Sequence, residues 1–109
     1  MTQIVKVKSG SIFEEKASYS RLVAVDNWIY VSNTAGRNPD TKLIPEDVIE
    51  QAEQVFANIE RALAAVDASL ADVVCSRVFI QDPADVAKVM DYIGTRFLSL
   101  IHISEPTRQ

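Results

Sequence analysis

One cysteine, one histidine, three glycines and four prolines are all that these 109 residues hold of those types. A lone Cys75 excludes an internal disulfide framework and any cysteine-based zinc cluster, and it fits a reducing cytoplasm. No apolar run approaches the ~18 residues that cross a bilayer. The opening Met1-Thr2-Gln3-Ile4-Val5-Lys6 lacks the basic-then-apolar form of a secretory signal. Scarce glycine and proline leave no obvious linker, and there is neither an internal repeat nor a low-complexity stretch. Basic residues are outnumbered, 11 against 15 acidic, for a net charge of -4. Such a chain has no global attraction for phosphate backbones or anionic lipid, so neither nucleic acid nor membrane is expected as a partner. That sum leaves a local basic patch open.

What is present is apolar side chain, 48% of the residues, enough for the core of one small domain. A domain of this size still exposes much of its surface, which makes oligomerisation a source of further burial. Ile4-Val5-Lys6-Val7-Lys8 reads as a short strand ended by Ser9-Gly10-Ser11. Arg21–Val25 and Trp28–Ser32 are β-rich and separated only by Asp26-Asn27, two residues that tolerate positive φ, so the spacing predicts a hairpin. Asn38-Pro39-Asp40-Thr41 is a turn signal within a loop over 33–45.

Pro45 at a first helical position, with Glu46 and Asp47 at the positive end of the dipole, predicts the start of a helix. Val48, Ala52, Val55, Ile59, Ala62, Leu63 and Val66 form its apolar stripe, with Ile49 and Phe56 beside it. Val73–Ile80 reads as a strand. Asp82-Pro83 reads as an N-cap and first turn, and Val86, Val89, Met90, Ile93 and Phe97 continue at helical spacing. A second helix crossing back over a sheet calls for another strand, yet only Leu98–Ile103 remains as an apolar segment.

From Leu98 the chain reads Leu-Ser-Leu-Ile-His-Ile-Ser-Glu-Pro-Thr-Arg-Gln. This string resembles the translation of a transposon-end adapter used in preparing sequencing libraries. The expectation is a domain over 1–97, incomplete at its C-terminus, and a non-native tail over 98–109. The alternative is a genuine terminal strand with a polar tail. His102 then carries no weight as a base or ligand, and a lone His among isoleucines is more often a packed residue.

Ala17-Ser18-Tyr19-Ser20-Arg21 leads into the hairpin, and Trp28-Ile29-Tyr30-Val31-Ser32-Asn33-Thr34-Ala35-Gly36 ends it. Asn38-Pro39-Asp40-Thr41, Gln51-Ala52, Asn58-Ile59, Ala68-Ser69-Leu70-Ala71-Asp72-Val73-Val74 and Val78-Phe79-Ile80-Gln81-Asp82 follow in order. From about Ala17 to Phe97 the chain resembles the RidA family (YjgF/YER057c/UK114) of reactive-intermediate deaminases. Ser32-Asn33-Thr34 departs from the family's commoner Ser-Gly-Gln. The resemblance implies an α+β fold, a chorismate-mutase-like mixed sheet with two helices on one face. It also implies a homotrimer with clefts between subunits. Two further strands follow the second helix in that family, and this chain lacks their counterpart.

The resemblance further implies hydrolysis of small enamines and imines, such as 2-aminoacrylate, to 2-keto acids and ammonia, with no metal or cofactor. Such chemistry needs a cation for the substrate carboxylate, a carboxyl group to hold water, and fixed polar groups in a dry cleft. The family's arginine and glutamate fall on the missing strands, so the catalytic residues are not assigned. Tyr19, Ser32, Asn33 and Thr34 match substrate-contacting positions. Tyr19 otherwise reads as an aromatic covering core, and Ser32 as a hydroxyl serving a strand end. Arg77, mid-strand among apolar neighbours, is either a carboxylate ligand or a partner of Asp72 or Asp82. Arg37 reads as solvated, Cys75 as a small packed residue and Asn58 as structural. A non-catalytic ligand-binding or regulatory trimer is the rival reading. A nuclease or translation inhibitor is a third, weakened by the acidic charge and the lack of a basic-aromatic stripe.

Overall fold

The computed structural model describes residues 2–17 and 19–104; the side chains of Phe13, Ala17 and residues 98–104 lie outside that description. Three strands form one antiparallel sheet in the order β1 (Ile4–Val7), β2 (Leu22–Val25), β3 (Trp28–Val31). The hairpin forms where the sequence places it, with Leu22 opposite Val31 and Val25 opposite Trp28. Asp26 takes the positive φ, 52°, that the short connection needs. β1 pairs on the other side of β2, Val7 opposite Leu22 and Ile4 opposite Val25.

Side-chain alternation then sorts the sheet into two faces. Val7, Leu22, Ala24, Ile29 and Val31 belong to the core. Ile4, Trp28 and Tyr30, on the opposite face, are exposed. Two helices cover the core face: α2 (Val48–Ala64) and α3 (Val86–Ser104). Phe56 of α2 is the junction, with edge-on ring contacts to Tyr92 and Phe97 of α3, each at 5.9 Å between centroids. The sequence pattern put Phe56 beside the stripe; it is instead buried at its centre. Arg96 lies 4.9 Å above the Phe56 ring and bonds to the Tyr92 hydroxyl and Glu60, clamping the two helices. The Tyr92 bond and the Glu60 carboxylate raise the Arg96 pKa further above its ordinary value.

Four elements differ from the sequence expectation. α2 starts at Val48 rather than Pro45, because Asp47 is the cap: its carboxylate accepts from the Ile49 and Glu50 amides at 3.1 and 3.0 Å. A short helix, α1 (Ile12–Ala17), occupies a stretch where none was foreseen. Leu98–Ile103, for which a terminal strand was the alternative to a non-native tail, continues α3. Finally, Val73–Ile80 forms no strand, and Val74, Val78 and Phe79 are exposed. No neighbouring strand supplies ladder bonds for its backbone, so its β-branched composition has nothing to pair with. The sheet described is accordingly antiparallel, and the parallel pairing of a mixed sheet is not formed among the described residues. The α+β architecture with helices on one face stands.

The loop over 33–45 is held to α2. The Asn58 amide donates to the Ala35 and Arg37 carbonyls, and Gln51 donates to the Pro45 carbonyl at 2.7 Å. Asn38 makes the foreseen turn, its side-chain oxygen accepting from the Asp40 and Thr41 amides. Gly36 is where loop and helix touch: a Cβ there would lie 2.5 Å from the Gln51 carbonyl oxygen. The loop therefore leaves β3 in one direction, which fixes Asn33 and Thr34 at the end of the sheet.

Candidate functional site

Tyr19, Ser32, Asn33 and Thr34 converge at the end of the sheet where β2 begins and β3 finishes. Their centre is Arg21, which the sequence reading passed over. Its backbone belongs to the hairpin, since the Ser32 amide donates to the Arg21 carbonyl at 2.9 Å. Alternation with the fully buried Leu22 turns its side chain away from the helix-covered core. The guanidinium donates to the Asn33 carbonyl at 2.6 Å, the Thr34 hydroxyl at 3.1 Å and the Tyr19 hydroxyl at 3.3 Å. It also lies 5.5 Å from the Tyr19 ring centroid.

Burying this cation requires a counter-charge, and Glu14 of α1 provides it. The Arg21 Nε donates to the Glu14 carboxylate at 3.3 Å, and only 1% of Glu14 is exposed. The Ser9 amide and hydroxyl donate to the same carboxylate. Burial alone would raise the Glu14 pKa. The two Ser9 bonds and the Arg21 charge together outweigh burial and hold it below the usual glutamate range. α1 is thus present to carry Glu14 beneath Arg21. Its sequence signal was the spacing Ser11-x-x-Glu14, a helix-start pattern.

The hydroxyls at the site differ in what they still offer. Ser32 donates to the Ser20 carbonyl at 2.6 Å, and Thr34 donates to the Ser32 carbonyl at 2.8 Å. Both protons are therefore spent on the backbone, and these oxygens face a ligand as acceptors. Tyr19 accepts from Arg21, which leaves its own proton to donate; among the described residues no acceptor takes it. The carboxylate of Glu14 is almost wholly buried and already accepts from Ser9 twice and from Arg21, so it is not presented to the site as a base.

Arg77 is not part of this group. It lies exposed in the 73–80 segment, not buried mid-strand, and Asp72 and Asp82 cap the turns at Ser69 and Ala84 instead of pairing with it. Cys75 is exposed rather than packed. Arg37 is half-buried and donates to the Lys42 carbonyl at 2.8 Å. A shallow hollow between 73–76 and Phe97 lies in that same segment and contains none of the converging residues. His102 has its side chain outside the described residues. Among the described residues no three His, Cys, Asp or Glu side chains group as metal ligands, and no helix is long and apolar enough to cross a membrane.

Known proteins resemble this chain in sequence and fold. The mitochondrial protein MMF1 of Saccharomyces cerevisiae is 34% identical over 92 residues, 84% of this chain. The 2-iminobutanoate/2-iminopropanoate deaminase of Capra hircus is 35% identical over 82 residues, 74% of this chain. The chain spans only 61% and 60% of those two proteins' lengths. The crystal structure of Rv2704 from Mycobacterium tuberculosis, of the YjgF/YER057c/UK114 family, superposes with a TM-score of 0.79 at 29% identity, covering 91% of this chain and 78% of that one. The family described as Endoribonuclease L-PSP matches residues 10–108. With a family match over nearly its whole length and a shared fold, the chain belongs to the Endoribonuclease L-PSP family, the YjgF/YER057c/UK114 (RidA) proteins.

Proposed function

We propose that this protein, in its full-length form, hydrolytically deaminates small enamines and imines of the 2-aminoacrylate type to 2-keto acids and ammonia. One observation carries the reading: Tyr19, Ser32, Asn33 and Thr34, four separate sequence matches, gather on the single Arg21 guanidinium. The cluster offers the Tyr19 phenol and the Asn33 amide as donors and hydroxyl oxygens as acceptors to a small polar ligand, and relatives named 2-iminobutanoate/2-iminopropanoate deaminase share the fold's sequence at about 35% identity. The substrate is a small carboxylate, and no cofactor takes part. The cation for that carboxylate and the carboxyl that holds water belong to strands after α3. On this reading residues 98–109 are a non-native tail, a reading supported by their adapter-like sequence and opposed by the family match, which runs to residue 108.

Three copies complete the site. Ile4, Trp28 and Tyr30 leave the outer face of the sheet apolar and exposed, about 60% for each, a surface that a homotrimer would cover. The chain ending at Gln109 is expected to assemble poorly; light scattering on protein with its C-terminus restored tests the trimer directly, and a monomer at tens of micromolar overturns it. Cytoplasmic residence is part of the same proposal.

A second reading is a ligand-binding trimer without catalysis. Its support is the burial of Glu14: the one carboxylate bonded to Arg21 among the described residues is 1% exposed and committed to Ser9 and Arg21. The two separate cleanly. 2-Iminopropanoate is generated enzymatically, and its decay is followed with and without protein whose C-terminus has been restored from source DNA. Faster decay supports the deaminase, and unchanged decay leaves the binder. The chain ending at Gln109 is expected to give little or no acceleration.

A further inference from the structure

We infer that Arg21 is a positioning residue that obliges the Tyr19 phenol to donate its hydrogen bond to an anionic or carbonyl oxygen of the ligand. The inference rests on the deaminase-type reading of the site and adds how it discriminates among ligands. A guanidinium carries five N–H donors and no acceptor. Whatever oxygen it touches must accept. At the Tyr19 hydroxyl, 3.3 Å from an Arg21 terminal nitrogen, this fixes the direction of the bond. The phenol then has one strong use left, donation, and the adjacent positive charge strengthens it. Ser32 and Thr34 are fixed the opposite way, because both protons go to backbone carbonyls at 2.6 and 2.8 Å. The site therefore presents the Tyr19 phenol and the exposed Asn33 amide as side-chain donors beside the hydroxyl acceptors of Ser32 and Thr34. A ligand fits that presents an acceptor oxygen to Tyr19 and an N–H toward Ser32 or Thr34. A 2-imino or 2-amino carboxylate has both.

The arrangement is rigid for a stated reason. Glu14 holds Arg21 by its Nε, and the Asn33 carbonyl and Thr34 hydroxyl hold one terminal nitrogen, so the other is aimed at Tyr19. The guanidinium plane is fixed from three sides before any ligand arrives, which is the preorganisation that binding rewards.

The test is a mutant cycle on protein whose C-terminus has been restored from source DNA, with 2-oxobutanoate as the probe and amide shifts of Tyr19 and Asn33 as the readout. Replacing Arg21 alone would leave a buried carboxylate, so Arg21→Gln is made in a Glu14→Gln background and compared with Glu14→Gln. Tyr19→Phe is made in both. The expected result is at least a tenfold loss of affinity for Arg21→Gln, a similar loss for Tyr19→Phe, and no further loss when the two are combined. That non-additivity is what a merely structural arginine does not produce. Losses that simply multiply, or an Arg21→Gln protein that binds like its background, overturn the inference. A ligand-free measurement keeps the two proposals apart. The Cζ carbon shift of Tyr19 reports the hydrogen bonding of its oxygen and is expected to move on Arg21→Gln. If the shift moves while wild-type protein ignores 2-oxobutanoate, the Arg21–Tyr19 arrangement stands and the functional reading falls. If the shift does not move, the inference falls regardless of binding.

Discussion

The β2–β3 hairpin and the Val73–Ile80 segment have the same kind of composition and opposite fates. Leu-Val-Ala-Val and Trp-Ile-Tyr-Val pair residue for residue, and Leu22 is completely buried. Val-Val-Cys-Ser-Arg-Val-Phe-Ile is as rich in β-branched and aromatic side chains, yet it forms no ladder and leaves Val74 and Phe79 86% and 78% exposed. The difference lies outside the side chains. The hairpin carries its partner two residues away, and a tight turn fixes the register. The 73–80 segment is bounded by short 3-10 turns capped by Ser69 and Asp82, with a helix beyond, so its partner must come from farther along or from another copy. β-Propensity describes fitness for a pleated, half-buried surface; it does not supply the surface.

The comparison is broken most severely from the hairpin side. Arg21→Met leaves Glu14 buried without its cation, and loss of one partner of a buried pair costs about 3–5 kcal/mol. Urea unfolding followed by circular dichroism should show a midpoint fall of that order, largely restored by adding Glu14→Gln. Leu22→Ala comes next. It opens a cavity between sheet and helices at a cost of about 2–5 kcal/mol, read in the same assay. If either change proved neutral, the hairpin end would be no better anchored than 73–80.

Acid provides a third and smaller lever. The Glu14 pKa is lowered in the folded state, so the unfolded chain takes up a proton there first as pH falls. The stability from this group is fully present above the ordinary glutamate value of about 4.3 and is lost as pH drops through the lower folded value. Unfolding midpoints measured between neutral pH and pH 3 should fall more steeply for wild type than for Glu14→Gln. Parallel curves would mean that the Ser9 and Arg21 bonds are not made in solution.

How much of this was legible in the sequence follows the same division. The hairpin and the turn at Asn38 are local, set by neighbours within a few residues, and both are found where the pattern puts them. Tyr19, Ser32, Asn33 and Thr34 were reached through resemblance rather than physics, since nothing in their spacing says that they meet. Arg21 was overlooked because a charged residue at a strand start reads as solvent-facing; its burial depends on Glu14, seven residues earlier on a helix too short to show periodicity. Arg77 was misjudged for the converse reason. Apolar neighbours imply burial only when the segment is paired, and 73–80 is not.

The smallest expected effect sharpens the comparison best. Phe79 and Val74 are large apolar residues on open backbone, and surface substitutions away from special features usually stay within about 0.5 kcal/mol. Phe79→Ser and Val74→Ser should therefore leave the urea midpoint of the chain unchanged at low concentration. At high concentration they should reduce self-association, because an unpaired apolar segment is a template for other chains. A loss above about 1 kcal/mol at low concentration has a definite meaning, since only a packed side chain loses that much on truncation. It would place 73–80 against a surface of its own molecule, and the contrast between the two stretches would then be one of register rather than of pairing. Repeating the measurement on protein carrying the strands proposed to follow α3 separates these cases: a segment waiting for a strand becomes sensitive to Phe79→Ser only when that strand is present.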